Sequence, residues 1–344
     1  MPGFELIDDK EFLEVKEVFE KSKILFRHSF DNLRNGVYKV RDFEKQFSNH
    51  MGVKDALAVT SGTSALKVAF KALDIKKGDE VITQAFTFVA TVEAIIECQA
   101  QPVIADIDKS LNIDPISFEK NITKKTKAVV VVHMLGIPVQ MDQILKIAKK
   151  HNLYVIEDTA WGCGGKFNNK FLGTIGDVGT YSFDFAKTMT TGEGGMVICK
   201  DNNILEKAKA YHDHGHENNP SLPRWEDSRS SSGFNYRMME LQGAVGLAQL
   251  KKLNYVIDSQ NANKNKIKDL IKDFPIRFRK YPKCSSFVDT SDALVFFVEN
   301  KETAINCRNE LLKNSVGTKI LPEAVSWHFA GSWGHMDELT NYYG

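Results

Sequence analysis

Apolar segments of strand length alternate with segments of helical periodicity over residues 56–199 of this 344-residue chain. Residues 56–60, for example, form a short apolar run, and apolar side chains then recur at helical spacing over residues 64–73. Alternation of this kind is typical of an α/β fold with a mostly parallel sheet covered by helices on both faces. The predicted strands cover residues 56–60, 80–83, 102–107, 127–132, 153–157, 178–183 and 195–199, and the predicted helices cover residues 64–73, about 88–98 and about 142–151.

The pattern changes near the middle of a long helical segment. Helical periodicity runs over residues 238–270, and shorter strand-like segments follow, the clearest at residues 293–298, before a helix at residues 303–313. A chain of this length also favours more than one domain. We therefore expect a large α/β domain at residues 1–250 and a smaller C-terminal α+β domain at residues 251–344.

Composition narrows the class of protein. The formal net charge is +1, so no overall attraction to nucleic acid or to an anionic membrane is expected. The five cysteines are scattered without C-x-x-C spacing, which disfavours a disulfide framework or zinc site and fits a reducing compartment. Because no signal peptide or membrane-spanning run is visible, we expect a soluble cytoplasmic protein with no nucleic-acid or membrane partner.

Alternating histidines at His212, His214 and His216 resemble part of a metal site. No cysteine or further histidine cluster completes a ligand set, so we expect no metal. Solvation or contacts to a substrate explain these histidines better.

Polar residues follow the predicted strands, at the sheet edge where open α/β folds bind ligands. The run Ser61-Gly62-Thr63-Ser64 follows the first strand and opens a helix, so its amides point outward at a helix N-terminus. Such a terminus binds phosphate readily. Ordinary helix capping by Ser61 or Thr63 is the alternative interpretation.

Two further strands end near ionisable residues. Asp158 follows the strand at residues 153–157, where a carboxylate can keep a bound pyridine nitrogen protonated, bind Mg²⁺ or cap a helix. Ser182 ends a later strand, and Lys187 follows in a loop before the glycine-rich turn at residues 192–195. A lysine between two buried strands is desolvated, as a catalytic amine must be, although most loop lysines are solvated. The glycine-rich turn does not have the spacing of a nucleotide-binding P-loop.

Asn235 and Arg237 lie immediately before the long helical segment. Residues there are well placed to meet an anion, and arginine binds carboxylates through two parallel hydrogen bonds. Capping and packing are the alternative roles.

Taken in order, these motifs resemble the sugar aminotransferases of the DegT/DnrJ/EryC1/StrS type, which have the aspartate-aminotransferase-like fold. The resemblance spans most of the chain, and the ordered set is more specific than any single motif. It implies pyridoxal phosphate as cofactor and a homodimer with shared active sites. The matching positions are residues 61–66, 86–91, 133, 141–142, 156–158, 173–177, 182–187, 192–195 and 233–237, together with Glu240 and Gln249.

The resemblance implies roles for individual residues. Lys187 corresponds to the lysine that holds the cofactor covalently, Asp158 to the carboxylate on the pyridine nitrogen, and Phe88 to the aromatic residue on the ring. In the implied reaction, L-glutamate gives its amino group to a keto or aldehyde sugar while Lys187 moves the proton. The implied phosphate contacts are the amides of Thr63 and Ser64 beside Gly62, the Ser182 hydroxyl, and Asn235 contributed by the other subunit.

The N-terminal region resembles more narrowly the transaminases that make 8-amino-3,8-dideoxy-manno-octulosonate, an amino sugar of lipopolysaccharide. A sugar acid needs a cationic partner for its carboxylate, which Arg27, Arg34 or Arg41 would supply. Surface ion pairing is the alternative for these arginines. The remaining candidates for substrate contacts are His28, His133, Arg237 and His328.

Two features depart from the family pattern. Trp161 stands where most members have a glutamine or histidine that contacts the phenolic oxygen of the cofactor, and an indole N–H donates but cannot accept a hydrogen bond. The chain ends at Gly344, whereas relatives continue by some tens of residues, so we expect either a fragment or a form with a shortened small domain.

The sequence also leaves functions other than sugar transamination possible. Relatives that dehydrate sugars carry histidine in place of Lys187, which disfavours a lyase. A non-catalytic regulatory protein that kept the fold is an alternative of another class. Within the aminotransferases, a nucleotide-linked hexose is the second substrate class, although no second phosphate cradle is visible.

Overall fold

The computed structural model describes residues 3–219 and 221–336. Within these residues the chain forms a seven-stranded central sheet, a two-stranded sheet and a three-stranded sheet. The strands are β1 (Leu57–Val59), β2 (Glu80–Gln84), β3 (Gln101–Ala105), β4 (Thr126–Val132), β5 (Tyr154–Asp158), β6 (Lys166–Phe167), β7 (Lys170–Phe171), β8 (Val178–Ser182), β9 (Gly195–Cys199), β10 (Arg277–Phe278), β11 (Phe287–Val288) and β12 (Phe296–Phe297). The helices are α1 (Asp9–Glu17), α2 (Lys39–Met51), α3 (Gly62–Ala72), α4 (Val89–Glu97), α5 (Pro115–Lys120), α6 (Met141–His151), α7 (Asn202–Tyr211), α8 (Glu240–Leu250), α9 (Leu253–Ile271) and α10 (Lys301–Lys313).

The central sheet has the order β1-β9-β8-β5-β4-β2-β3. Strand β9 is antiparallel to both of its neighbours, and the other adjacent pairs are parallel. This arrangement confirms the predicted mostly parallel α/β sheet. Because β1, β5 and β8 run in the same direction, the residues that follow them gather at one edge of the sheet.

Both faces of the central sheet are buried. Along β4, Ala128 and Val130 pack with residues of α3 and α4, whereas Val129 and Val131 pack with residues of α5 and α6. Successive side chains of a strand point to opposite faces, so a strand covered on both sides is apolar throughout. At the other end of the sheet, α2 and α8 pack against β8 and β9.

The predicted long helix at residues 238–270 is two helices, α8 and α9. At their junction, the Lys252 ammonium donates to the backbone oxygen of Leu6 at 2.6 Å and to the Glu11 carboxylate at 2.8 Å. These contacts fix the junction to the N-terminal segment. No helix within residues 3–219 and 221–336 is long and apolar enough to cross a membrane.

The region after α9 is less regular than the sequence predicts. The strand expected at residues 293–298 is reduced to β12, which pairs with β10. Strand β11 instead joins β6 and β7, which precede α8 in the chain. The two predicted domains therefore share a small sheet, and the division at residue 250 stays a prediction.

A C-terminal segment of short helical turns returns to the central sheet. Phe329 stacks on Phe86 with 4.3 Å between ring centres and an angle of 8° between the rings. Further along, Trp333 and Met336 pack against apolar residues of α4. These contacts place the residues beside Phe329, including His328, at the carboxyl edge of the sheet.

Candidate active site

The N-terminus of α3 lies directly against the end of β8. Ser61 caps the helix by accepting a hydrogen bond from the Ser64 amide at 3.0 Å. A Cβ atom on Gly62 would lie 2.7 Å from Ser182 Cβ and 3.1 Å from Ser182 Oγ, so glycine is required for this approach. The Ser64 amide, which is expected from the sequence to bind phosphate, is therefore already paired with Ser61, and the amides of Gly62 and Thr63, at the start of the helix, are the ones without an intrahelical acceptor. Together with the Ser182 hydroxyl they form a cradle that fits a phosphate group.

Asp158 ends β5 as a buried carboxylate. Its oxygens accept hydrogen bonds from the Thr91 hydroxyl at 2.9 Å and from the Ala160 amide at 3.1 Å. Burial raises the pKa of Asp158, although these hydrogen bonds and the positive charge of Lys187 act in the opposite direction. A buried carboxylate is costly unless a donor or cation pairs with it. A protonated pyridine nitrogen is such a partner, so Asp158 fits the expected cofactor.

Lys187 lies in the loop between β8 and β9, with its amine 4.1 Å from the centre of the Trp161 ring. Its backbone is fixed on both sides, because its amide donates to the Asp184 carbonyl at 3.0 Å and its carbonyl accepts from the Gly3 amide at 2.7 Å. Burial lowers the pKa of Lys187, and the charge of Asp158 is the strongest of those that oppose this shift. The amine therefore loses its proton more readily than a solvated lysine, as a nucleophile or base must.

Aromatic rings line the approach to Lys187. Phe88 precedes α4 and is 39% exposed. Its ring centre lies 5.2 Å from that of His328 and 6.0 Å from that of Trp327. The His328 ring lies 6.5 Å from Trp161, the residue beneath the Lys187 amine. One group of rings thus connects Phe88 with Lys187, and the exposed face of Phe88 can pack against a planar ligand.

A second polar group lies beside β1 and contains Asn235, Arg237 and His28. Asn235 is exposed and pairs through its backbone with Asp213. Arg237 and Arg224 both donate to the Asp213 carboxylate, at 2.5 and 2.8 Å. Burial alone would raise the pKa of Asp213, but these guanidinium groups hold it below its ordinary range.

His28 belongs to this second group. Its Nε2 lies 3.3 Å from Asp213 Oδ2. Burial, followed by the charge of Arg27, lowers the pKa of His28 to about 2. Among the described residues of one chain, no contact joins this second group to Lys187.

Residues 20–332 match the DegT/DnrJ/EryC1/StrS aminotransferase family. The chain belongs to this family. The fold class and the cofactor pyridoxal phosphate, both expected from the sequence, are thereby confirmed. Three curated relatives are 41 to 42% identical, and the chain spans only 56 to 57% of their length. One of them, the GDP-perosamine synthase of Caulobacter vibrioides, is 41% identical over 214 residues, which is 62% of this chain and 56% of that protein.

Solved structures of the family are similar over a larger share of the chain. The aminotransferase from Psychrobacter cryohalolentis superposes with a TM-score of 0.82 at 32% identity, covering 90% of this chain and 82% of that chain. The E. coli GDP-4-keto-6-deoxy-D-mannose-3-dehydratase with bound hydrated pyridoxal phosphate superposes with a TM-score of 0.84 at 27% identity, covering 97% of this chain and 87% of that chain.

His133 lies in the interior of this family member, away from any open surface. Its Nδ1 accepts a hydrogen bond from the Val139 amide at 3.1 Å, and its Nε2 lies 3.0 Å from a carboxylate oxygen of Glu157. Burial alone would raise the pKa of Glu157, but His133 and the amides of Gly176 and Gly173 lower it. Both ring nitrogens of His133 are occupied, so its predicted contact with a sugar is not supported by this geometry.

The arginines predicted to bind a sugar acid have internal partners. Arg27 donates to the backbone oxygen of Ala58 at 2.9 Å and to Glu44 at 2.8 Å. Arg34 is completely buried, and its guanidinium contacts Glu240 at 3.1 Å as well as three backbone oxygens. Both guanidinium groups have internal partners, and the structure does not bring them to Lys187.

Arg41 lies on the surface. Its guanidinium is 3.7 Å from the exposed Asp31 carboxylate and 4.4 Å from the centre of the Tyr38 ring. These contacts agree with the alternative of surface ion pairing.

Two of the three alternating histidines also have local partners. His212 Nδ1 contacts the Lys209 backbone oxygen, and His216 Nδ1 lies 2.9 Å from the Asp227 carboxylate. In the part of the chain that the structure describes, no group of three histidine, cysteine, aspartate or glutamate side chains is arranged to hold a metal.

Three residues near the site were not singled out from the sequence. Thr91 orients Asp158, and Trp327 contacts Phe88. Asp292 is near enough to Lys187 for its charge to act on the amine. Thr91 and Trp327 had a signal in the sequence, since Thr91 closes the motif at residues 86–91 and Trp327 precedes the candidate His328.

Proposed function

We propose that this protein is a pyridoxal-phosphate-dependent aminotransferase that moves an amino group from L-glutamate to a keto or aldehyde sugar. The observation that carries the proposal is the gathering of Lys187, Asp158 and the Gly62–Ser182 cradle at one edge of the sheet in a member of this family. No single residue of this set would suffice, because capping serines and loop lysines are common.

The cofactor would be held by three kinds of contact. The amides of Gly62 and Thr63 and the Ser182 hydroxyl would bind the phosphate, since the cradle excludes a Cβ atom at position 62. The Asp158 carboxylate would hold a proton at the pyridine nitrogen, and Phe88 would cover one face of the ring. Thr91 keeps Asp158 oriented through the hydrogen bond at 2.9 Å.

When bound, pyridoxal phosphate supplies an electron-withdrawing ring that stabilises the electron pair left on a substrate carbon after loss of its proton. The Lys187 amine would take that proton as a general base and return it as a general acid. Burial favours the neutral amine that the first step needs. The nearby rings of Trp161 and His328 would limit the access of water to this amine.

The first acceptor we propose is an 8-oxo sugar acid, whose amination gives 8-amino-3,8-dideoxy-manno-octulosonate. The second polar group supports it, because the guanidinium groups of Arg224 and Arg237 share the single carboxylate of Asp213. The surplus positive charge suits the carboxylate of a sugar acid. Arg237 thus remains a proposed substrate residue, and Arg27 and Arg34 do not.

A nucleotide-linked keto sugar is the second candidate acceptor. The relatives named GDP-perosamine synthase favour it, and a diphosphate would meet the same positive charge. The two candidates differ in their anionic group, so both belong in the first acceptor assay.

A homodimer with shared active sites is part of the proposal. Asn235 is exposed and, within one chain, is not in contact with the Lys187 group in the described residues. Its proposed contact with the cofactor phosphate therefore requires a second copy of the chain.

The experiment that tests the proposal mixes the purified chain, loaded with pyridoxal phosphate, with L-glutamate. We expect release of 2-oxoglutarate in an amount equal to the bound cofactor, with a matching change in visible absorbance. The Lys187→Arg variant, which keeps the positive charge but not the reactive amine, should release about 10²- to 10⁴-fold more slowly. Equal rates in the two proteins, or no release by the unaltered chain, would show that the proposal is wrong.

A further inference from the structure

Lys187 lies in a loop that has no regular structure of its own. Strand β8 ends at Ser182 and β9 begins at Gly195, and we refer to residues 183–194 between them as the lysine loop. Since these described residues form neither a helix nor a strand, no ladder of hydrogen bonds fixes the backbone of Lys187. Its amide donates to the Asp184 carbonyl at 3.0 Å, within the loop. Contacts with other parts of the chain must therefore define where the loop lies.

The N-terminal segment, residues 3–11, contacts Lys187 directly. The Gly3 amide donates a hydrogen bond to the Lys187 carbonyl, with 2.7 Å between nitrogen and oxygen. The Phe4 ring lies beside that of Phe185, with 6.0 Å between the ring centres. The segment thus meets the lysine loop at Lys187 itself and two residues earlier.

Gly3 fits against the lysine loop with no space for a side chain. It is buried, and a Cβ atom on it would lie 2.6 Å from Gln249 Oε1 and 2.7 Å from Met189 Cα. Ordinary contacts begin at 3.4 Å, so the two parts of the chain would have to separate by about 0.7 Å. Because Met189 Cα is a backbone atom, rotation of a side chain cannot relieve this contact. A larger residue at position 3 therefore either displaces the loop or withdraws the amide from Lys187.

Gln249, near the end of α8, makes a second connection between the same two parts of the chain. Its Oε1 accepts a hydrogen bond from the Thr190 amide of the lysine loop at 3.3 Å, and its Nε2 donates to the Glu11 carboxylate at 2.8 Å. Lys252 donates to the same carboxylate at 2.8 Å. Gln249 and Glu11 are both buried, so water does not compete for these hydrogen bonds. The loop is thus also held three residues after Lys187.

The position of the loop backbone matters because it sets the position of the Lys187 amine. Proton transfer requires a heavy-atom distance of about 2.6 to 3.2 Å between the amine and the substrate carbon's neighbourhood, as for any general base. A misplacement of about 1 Å caused by a change far from the chemistry can reduce a rate about 10²-fold. A displacement of about 0.7 Å at Gly3 is of this order.

We propose that Gly3 and Gln249 are positioning residues for Lys187, which hold the lysine loop so that the amine meets the reacting carbon. This inference rests on the proposed aminotransferase function. Neither residue has a place in the phosphate cradle, so each acts on the reaction through the loop. Disturbing them should change the reactivity of the Lys187 amine.

Two variants disturb the contacts and two serve as controls. Gly3→Ala adds the methyl group that has no space, and Gln249→Met keeps the length of the side chain but makes neither hydrogen bond. Gly317→Ala adds the same methyl group where no atom lies within 4 Å. Asp114→Ala removes the N-cap of α5, which packs with α6, and so destabilises the chain at a helix end outside the lysine loop.

The first measurement is the single-turnover release of 2-oxoglutarate by the chain loaded with pyridoxal phosphate and mixed with L-glutamate. Gly3→Ala should lower this rate about tenfold to a hundredfold, and Gln249→Met should lower it in the same direction. Both control variants should keep the rate of the unaltered chain within about twofold. If the unaltered chain releases no 2-oxoglutarate, the proposed function itself fails, and the second measurement still tests the position of Lys187.

The second measurement is the acetylation of Lys187 by limiting acetic anhydride in the cofactor-free chain, followed against pH by mass spectrometry. Only a neutral amine reacts, and burial lowers the pKa of Lys187. Displacement of the loop admits water to the amine, so the pH midpoint of acetylation should rise in Gly3→Ala and Gln249→Met. A purely structural role would leave the midpoint of the folded variants unchanged, as expected for Asp114→Ala.

Selective loss of rate together with a raised midpoint in the two loop-contact variants is the predicted result. If Gly3→Ala does not fold, Gln249→Met decides the question alone. An unchanged midpoint in the folded variants, or an equal change in Asp114→Ala, would show that these residues do not position Lys187.

Discussion

Gly62→Ala is predicted to damage the phosphate cradle while the chain still folds. The added methyl carbon would lie 2.7 Å from Ser182 Cβ, and ordinary contacts begin at 3.4 Å, so α3 and β8 must separate by about 0.7 Å. Overpacking of this kind typically costs about 1 to 3 kcal/mol. The same displacement lengthens a charge-assisted hydrogen bond to phosphate, which is worth about 1.5 to 3 kcal/mol. We therefore expect the dissociation constant for pyridoxal phosphate to rise about tenfold to a hundredfold.

The assay is equilibrium titration of the cofactor-free chain with pyridoxal phosphate, followed by its visible absorbance. Gly317→Ala serves as the control, because a Cβ atom there meets no atom within 4 Å. Circular dichroism at the assay temperature verifies that both variants are folded. An unchanged dissociation constant in folded Gly62→Ala would refute the assignment of the cradle.

The remaining predictions concern the charged groups. Asp158→Asn keeps the shape of the side chain but removes its charge, so the rate of glutamate conversion should fall about 10²- to 10³-fold in a single-turnover assay. A fall of less than twofold would contradict the role of Asp158 at the pyridine nitrogen. Because burial lowers the pKa of Lys187, the single-turnover rate of glutamate conversion should rise with pH and reach half of its maximum at a pH below the pKa of a solvated lysine. A midpoint at or above the pKa of a solvated lysine would be inconsistent with the geometry. Arg34→Met leaves Glu240 buried without its cation, so urea titration should show a loss of about 3 to 5 kcal/mol in the free energy of unfolding. Arg41→Met, at the exposed pair with Asp31, should lower the free energy of unfolding by less than about 1 kcal/mol. Similar losses in the two variants would argue against the buried pair.

Much of the fold was predictable because it depends on local periodicity. The strand at residues 153–157 and the helix at residues 142–151 are seen as Tyr154–Asp158 and Met141–His151. The break between α8 and α9 was not predictable, since apolar side chains recur at helical spacing on both sides of it. It is fixed by contacts of Lys252 with residues near the N-terminus.

Within the site, residues in compact motifs were easier to predict than residues joined by long-range contacts. Ser182 and Lys187 are five positions apart, so their order in the sequence already indicated a shared site. Arg34 and Glu240 are 206 residues apart, and no local pattern reveals that they pair. The sequence therefore predicts a substrate contact for Arg34, whereas the structure buries this side chain.

The same reasoning explains why Asp292 was not predicted from the sequence. Its charge acts on Lys187 because Thr290 and Asp289 fix its segment to Trp161 and Lys264. None of these residues forms a motif by itself. Their arrangement depends on the packing of α9 against the large sheet.

The most direct test of the central claim is to locate the bound cofactor on the chain. Reduction of the complex of the chain and pyridoxal phosphate with borohydride makes the covalent link permanent, and digestion followed by mass spectrometry identifies the modified lysine. The account predicts stoichiometric modification of Lys187 and its abolition when excess L-glutamate is added before the reductant. Modification spread over surface lysines, or concentrated on a different lysine, would contradict the account.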